Sequence, residues 1–283
     1  IVAISKVTYG CVKEVVPEAS LNYIPHAVPT QFFHPATSND EKNKAATLRN
    51  NIINTSTEFN NPKKKIFFWN SRNARRKLSG TLIWWFKELL DEIGHDKASL
   101  LMHTDARDPH GQDLPHIMER LGLTDGKVSP EELAHMYRAA DYTIGISDAE
   151  GFGLSTLESL TCGTPIIANM TGGLQEQVTD GTNWFGWGIE PVSKTVIGSL
   201  QVPYIYEDRI SQKDFNSVLK KAIKLSKPKY DKMSQAGIEH IKQNYNFKNY
   251  QSSWVEFMDN VVKKHGSWET RKNYRRWHLL EVA

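Results

Sequence analysis

Residues 142–176 constrain the fold more tightly than any other part of the chain, because apolar runs and glycine turns alternate there twice. Tyr142-Thr143-Ile144-Gly145-Ile146 is short, apolar and β-branched, as a strand buried on both faces of a parallel sheet must be. Glu150-Gly151-Phe152-Gly153 follows, and Leu154, Leu157, Leu160 and Thr161 then recur at helical spacing. Cys162-Gly163-Thr164-Pro165 ends that helix at glycine and opens a second apolar strand, Ile166-Ile167-Ala168, which runs into Gly172-Gly173-Leu174-Gln175-Glu176. Strand, glycine turn, helix, strand, glycine turn is one unit of an α/β protein. Upstream the alternation continues, with strands predicted at Ile66–Asn70 and Ala98–Thr104 and helices at Thr81–Leu90, Asp113–Leu121 and Pro130–Ala140. The pattern predicts an α/β fold with a doubly wound, Rossmann-like parallel sheet and a ligand crevice at the carboxyl ends of its strands.

The residues at the first glycine turn carry a particular chemistry. Gly151 and Gly153 let the backbone approach a ligand closely, and the first amides of the following helix present a positive dipole end that favours phosphate. Glu158 falls one to two turns into the helix. Because helical side chains lean toward the N-terminus, its carboxylate can reach back and accept hydrogen bonds from a ribose diol. Glu150, before the turn, would face the sugar itself. A phosphorylated sugar ligand suits this set, whereas a solvated helix residue and a loop acid would account for the two carboxylates taken alone.

Together, Glu-Gly-Phe-Gly, Glu158, Gly-Thr-Pro-Ile-Ile and Gly-Gly-x-x-Glu resemble the retaining glycosyltransferases of the GT-B fold, in the group that includes sucrose and glycogen synthases. A second match is Ile66-Phe67-Phe68-Trp69-Asn70-Ser71-Arg72-Asn73-Ala74-Arg75-Arg76-Lys77, an apolar strand entering a basic loop. The resemblance implies that Arg72 and Lys77 grip the donor diphosphate, whose growing negative charge fixed cations stabilise most in the transition state. It further implies donor contacts from Glu150, Gly151, Phe152, Gly153, Leu154 and Glu158. Glu150, Arg72 and Lys77 are then the catalytic groups, with Glu150 orienting sugar hydroxyls rather than attacking as a nucleophile. The implied reaction moves a sugar from a UDP- or GDP-sugar to a hydroxyl of an unidentified glycan, lipid or protein, with retention and with neither cofactor nor metal. Two alternatives stay open: a donor-binding module inactive without its N-terminal domain, and a nucleotide-sugar epimerase of similar fold. Between Leu123 and Pro130 the family's extra strand and loop are reduced to Thr124–Ser129, which leaves the base undetermined.

The same resemblance divides the chain. Residues 1–35, with a strand at Ile1–Ser5, a helix at Lys6–Val15 and a strand at Asn22–Val28, look like the last unit of an otherwise missing acceptor domain. His26 matches a linker motif and reads as structural. Residues 36–62 form a polar linker with a short helix, 63–248 the donor-binding domain, and 249–283 a helix returning toward the N-terminal domain plus a basic tail. Within the donor domain, 181–191 reads as a Gly- and Trp-rich loop, 192–202 as an extended insertion, and Gln212–Lys224 and Tyr230–Tyr245 as helices. Tyr250–Lys264 is the terminal helix, with Trp254, Phe257, Met258 and Val261 as an apolar packing stripe.

Composition narrows the class. A 283-residue chain with 39% hydrophobic residues can bury a substantial core, and a net charge of +3 is too mild to argue for nucleic acid. Lys63–Lys65 and Arg271–Trp277 are the conspicuous basic clusters; the aromatics in the second leave room for peripheral membrane contact. Cys11 and Cys162 show neither disulfide-scaffold nor metal spacing, which points to a reducing, cytoplasmic setting. No apolar run is long enough to span a membrane, and no Gly-x-Gly-x-x-Gly follows a predicted strand as a dehydrogenase requires. Asp105 and Asp108 read as turn residues, and His103, His110 and His116 are too dispersed for a metal motif.

Overall fold

A computed structural model describes residues 1–55, 59–123, 133–198, 200, 204–267 and 269–270. In chain order the elements are β1 (Val2–Ala3), α1 (Lys6–Val15), β2 (Asn22–Tyr23), α2 (Asn39–Ile53), β3 (Lys65–Asn70), α3 (Ser79–Ile93), β4 (Ala98–His103), α4 (Leu114–Arg120), α5 (Leu133–Ala139), β5 (Tyr142–Gly145), α6 (Leu154–Thr161), β6 (Ile166–Asn169), α7 (Gln175–Val178), β7 (Gly186–Ile189), β8 (Ser193–Ile197), β9 (Ile205–Arg209), α8 (Gln212–Ile223), α9 (Lys227–Asn244) and α10 (Phe247–His265).

Five strands pair in the order β4-β3-β5-β6-β7, all parallel. The chain leaves β3 for the edge strand β4, then crosses back to β5 on the other side of β3. That reversal is the topological switch point, where an open α/β sheet leaves a crevice beyond its strand ends. The loops after β3 and β5 therefore face each other, and they are the loops that carry Lys77 and Glu150.

Alternation along β3 explains why helices cover both faces. Phe67 and Trp69 point into a core with Leu82, Phe86 and Leu89 of α3 and Phe215 and Leu219 of α8. Ile66 and Phe68 point the other way, against Leu48 and Ile52 of α2 and Met136 and Tyr137 of α5. Phe67 and Phe68 are both fully buried, and each such side chain stabilises the fold by about 1.5–3 kcal/mol through apolar burial alone. On the same side as α2, α6 and α9 cover β6 through Leu157, Leu160 and Ile241.

The doubly wound α/β sheet agrees with the expectation from sequence, but several elements differ from it. The short helix expected in 36–62 is the 15-residue α2, opened by a capping box in which Ser38 and Glu41 bond each other's backbone. Only Asn22–Tyr23 of the expected 22–28 strand pairs, with β1. The stretch 181–191 is not simply a loop: Gly186–Ile189 is β7, the edge of the main sheet. A Cβ on Gly186 would lie 2.0 Å from the Ile166 carbonyl oxygen, so the glycines that signal a loop are here what allows close strand approach. The insertion is one arm of an antiparallel hairpin, β8 with β9, and its 199 and 201–203 fall outside the described residues. In α10 the apolar stripe is only partly covered: Trp254 and Phe257 are half-buried and in mutual ring contact, whereas Met258 is 53% exposed. The segment Thr124–Ser129, the start of the Pro130 helix and the Arg271–Trp277 cluster lie outside the described residues.

Candidate functional site

The loop after β3 is built around Asn73. Its Oδ1 accepts from Ser79 Oγ at 2.7 Å and from the Gln112 amide at 3.2 Å, while its Nδ2 donates to the Gln112 carbonyl at 2.6 Å. Gly111 is obligatory beside it, because a Cβ there would lie 1.9 Å from the Asn73 carbonyl oxygen. Arg75–Lys77 then form a 3-10 turn, and Leu78 adopts a left-handed φ of 58° before α3 begins. For a leucine that conformation costs roughly 1–2 kcal/mol, so surrounding contacts hold the turn in place.

The loop after β5 meets this turn directly. The Asp148 amide donates to the Arg76 carbonyl at 2.9 Å, and the Arg76 guanidinium donates to the Ala149 carbonyl at 3.2 Å. Lys77 and Glu150, 73 positions apart in sequence, form an ion pair with side chains only 13% and 15% exposed. Glu150 is clamped from behind as well: its carbonyl accepts from the Gly173 amide at 3.1 Å, and a Cβ on Gly172 would lie 1.8 Å from that same oxygen. The two glycine turns read from sequence are thus packed on each other.

Gly153, at φ 95°, precedes α6, and no side chain caps that helix end. Phe152 is 3% exposed and packs its ring against His26 and Tyr245 at 5.2 and 5.8 Å, so in the 151–154 turn this residue has only its backbone to offer a ligand. His26 meets Phe152 edge-on and Tyr250 at a tilt. Leu154 is 49% exposed at the helix start. Glu158 is half-buried, and its Oε2 accepts from the Tyr137 hydroxyl at 2.7 Å. Burial raises the Glu158 carboxyl above its usual range, and the Tyr137 hydrogen bond opposes that shift.

Arg72 stands apart from these groups in its partners. Its Nε and Nη2 bond Asp108 at 2.6 and 3.1 Å, and Nη2 also lies 2.9 Å from His110 Nδ1. The Arg72 hydrogen bond holds the Asp108 carboxyl well below the usual carboxylate range. Asp108 does cap a turn, accepting from the His110 amide at 2.9 Å, yet the ion pair is a second role that sequence did not reveal.

The hairpin is the other feature missed. The Asp208 amide of β9 donates to the Asp148 carbonyl at 2.8 Å, Arg209 pairs with both Asp148 and Glu207, and Arg75 reaches Glu207 at 3.0 Å. Asp148 is fully buried; burial pushes its carboxyl up to about 6 even though Arg209 pulls it down. Ile205-Tyr206-Glu207-Asp208-Arg209 has too many charges to read as a strand, although the acid–base alternation around Arg75 and Arg209 was available as a signal. Among the described residues no group of three His, Cys, Asp or Glu side chains is arranged to hold a metal ion.

Residues 123–240 match the family model for glycosyl transferases group 1. That match spans 118 of the 283 residues, the part of the chain that carries β5, β6, β7 and the glycine turns between them. The chain is 40% identical over 74 residues to D-inositol 3-phosphate glycosyltransferase of Paenarthrobacter aurescens, a match covering 24% of the chain and 18% of that relative. To alpha-monoglucosyldiacylglycerol synthase of Streptococcus pneumoniae it is 32% identical over 152 residues, or 50% of the chain and 33% of the relative. Its fold is that of GT-B glycosyltransferases: the Anabaena HepE structure in complex with UDP-glucose superposes with a TM-score of 0.68 at 16% identity, over 92% of this chain and 63% of HepE. The chain therefore spans well under two thirds of the curated relatives it matches. Among its described residues no helix is long and apolar enough to cross a membrane.

Proposed function

We propose that this chain binds a nucleotide-sugar donor at the β3/β5 switch point and serves the transfer of its sugar to a hydroxyl acceptor, with retention of configuration. The observation that carries the reading is the meeting of Lys77 and Glu150 at that switch point, flanked by the uncapped start of α6 and by Glu158. In this reading Lys77, Arg72 and the backbone amides of 151–154 stabilise the departing diphosphate, Glu150 orients sugar hydroxyls, and Glu158 holds the ribose. The positive charge that the leaving group requires comes from side chains and a helix end, so the reading calls for neither a metal nor a cofactor. The HepE complex, which holds UDP-glucose, supports a nucleotide-sugar donor, for which a UDP- or GDP-sugar is the candidate. The acceptor is a glycan, lipid or protein hydroxyl, and a reducing, cytoplasmic setting fits the free Cys11 and Cys162.

Calorimetric titration with UDP, GDP, ADP and TDP tests the reading. Selective binding of one of them, lost on Lys77→Ala, is expected, and three or four charge-assisted hydrogen bonds of about 1.5–3 kcal/mol each put its affinity near the micromolar range. Absence of binding by all four would remove it. Turnover of the matching nucleotide sugar with simple acceptors then separates a transferase from a binding module, and release of an epimerised sugar would mark an epimerase.

A further inference from the structure

A line of hydrogen bonds runs from the rim of the cleft to Glu158. His103 Nδ1, at the end of β4, lies 2.9 Å from Asn70 Oδ1, at the end of β3. Asn70 Nδ2 donates to the Tyr137 hydroxyl at 2.8 Å, and that hydroxyl donates to Glu158 Oε2 at 2.7 Å. Asn70 and His103 are register partners in the β3–β4 pair, so the sheet itself places two of the four groups side by side. The Tyr137 ring is fully buried, in edge contact with Phe68 at 5.0 Å and Phe33 at 6.2 Å, which leaves its hydroxyl no freedom to wander.

The chemistry gives this line a direction. A carboxamide nitrogen can only donate, so with Asn70 Oδ1 taking a proton from His103 its Nδ2 must face Tyr137. The Tyr137 oxygen then accepts from Asn70, and its own proton can go only to Glu158. Every proton in the line points toward the carboxylate. Glu158 is thereby held as an acceptor, with Oε1 meeting no hydrogen-bond donor among the described residues.

We propose that Tyr137, oriented by Asn70, is a positioning residue of the donor site: it fixes Glu158 so that Oε1 is offered to a hydrogen-bond donor on the ligand, which selects a ribose diol over a deoxyribose. This rests on the donor-binding reading above and specifies which part of the nucleotide the cleft discriminates. A phosphate, which presents only acceptor oxygens when ionised, is excluded from this position, and so the diphosphate must lie toward Lys77.

The test compares the nucleoside diphosphate that binds best with its 2′,3′-dideoxy form, by calorimetry, in three proteins. In the wild type the ribose form should bind roughly 10-fold or more tightly, the size of one or two hydrogen bonds to a charged group. Tyr137→Phe, which keeps the ring and removes only the hydroxyl, should cut that preference to about 3-fold or less while leaving the dideoxy affinity within about 2-fold, as the loss of one oriented acceptor requires. Asn70→Asp tests the direction: the introduced carboxylate would take the tyrosine proton, turn it away from Glu158 and cut the preference to a similar extent. Equal losses for both ligands in both variants would mean a merely structural role and overturn the proposal, as would an unchanged preference. A wild type that binds no nucleotide overturns the donor reading instead, whereas one that binds ribose and dideoxy forms equally leaves that reading standing and removes this one.

Discussion

The two ends of the cleft hold their polar groups by opposite means. At the basic end Lys77 sits against Glu150 and Arg72 against Asp108, so both of these cations already have a carboxylate partner. At the other end Glu158 is held by a neutral hydroxyl backed by a neutral amide. An anion arriving at the basic end must share or displace an acid, so binding there is an exchange of ionic partners and carries the salt dependence of one. In the proposed reading a diol arriving at Glu158 meets a carboxylate oxygen that no described cation holds. Under the proposed function, the basic end would take the group whose charge grows during the reaction and the Glu158 end a part of the ligand that does not change.

Removing Lys77 should break this contrast most visibly. Its pair with Glu150 is mostly buried, and Lys77→Ala both deletes a cation and leaves a carboxylate facing the diphosphate. The expected loss is about 2–3 kcal/mol, or roughly 30- to 150-fold, in nucleoside diphosphate affinity, with little change for the nucleoside alone. Equal losses for both ligands would show that Lys77 does not serve the diphosphate. Arg72→Ala should cost less, about 1 kcal/mol, because that side chain is 61% exposed and its salt bridge is screened. Glu158→Ala is expected to fall between them, about 1–2 kcal/mol, and to weaken nucleoside and diphosphate alike because the ribose is common to both. A thermal melt of the Glu158→Ala protein should stay close to that of the wild type, since the residue's main partner, Tyr137, keeps its bond to Asn70.

Much of this arrangement was legible in the sequence because the motifs are local. The strands 66–70 and 142–146, the helix from Leu154 and the glycine turns each declare themselves through periodicity or backbone need within a few residues. The partners of the motif residues do not. Asp108 reads as a turn acid because its turn role is local, while its bond to Arg72 spans 36 positions. Tyr137 reads as a core aromatic on α5, which it also is; only the fold brings its hydroxyl to Glu158. The stripe on α10 shows a different limit, since helical periodicity announces an apolar face without saying what covers it. β7 was hidden because Gly186 and Gly188 suppress strand propensity at the places where Ile166 and Met170 press closest.

A further predicted effect concerns the hairpin, which holds the same cleft by a third means, a cluster of two buried acids and two arginines that reach out toward the surface. Asp148 lies at its centre, facing Arg209 and, through it, Glu207, with Arg75 on the far side of Glu207. Its folded pKa of about 6 exceeds the ordinary carboxylate value of about 3.9, so between those values the folded state binds a proton that the unfolded state has released. Stability from this group is then fully present below about pH 4 and is lost as pH rises through about 6, the reverse of an acid held down by an ion pair. Asp148→Asn removes the titration while nearly preserving shape. The wild type should therefore lose melting temperature relative to Asp148→Asn between pH 4 and pH 7, by several degrees, as expected for a change of about 2–3 kcal/mol from raising a carboxyl from about 3.9 to about 6 in a chain of this size. A difference that stays flat across that range would mean that Arg209 fully compensates the buried carboxylate, and the hairpin would then be joined to the loops of Lys77 and Glu150 by an ordinary ion pair.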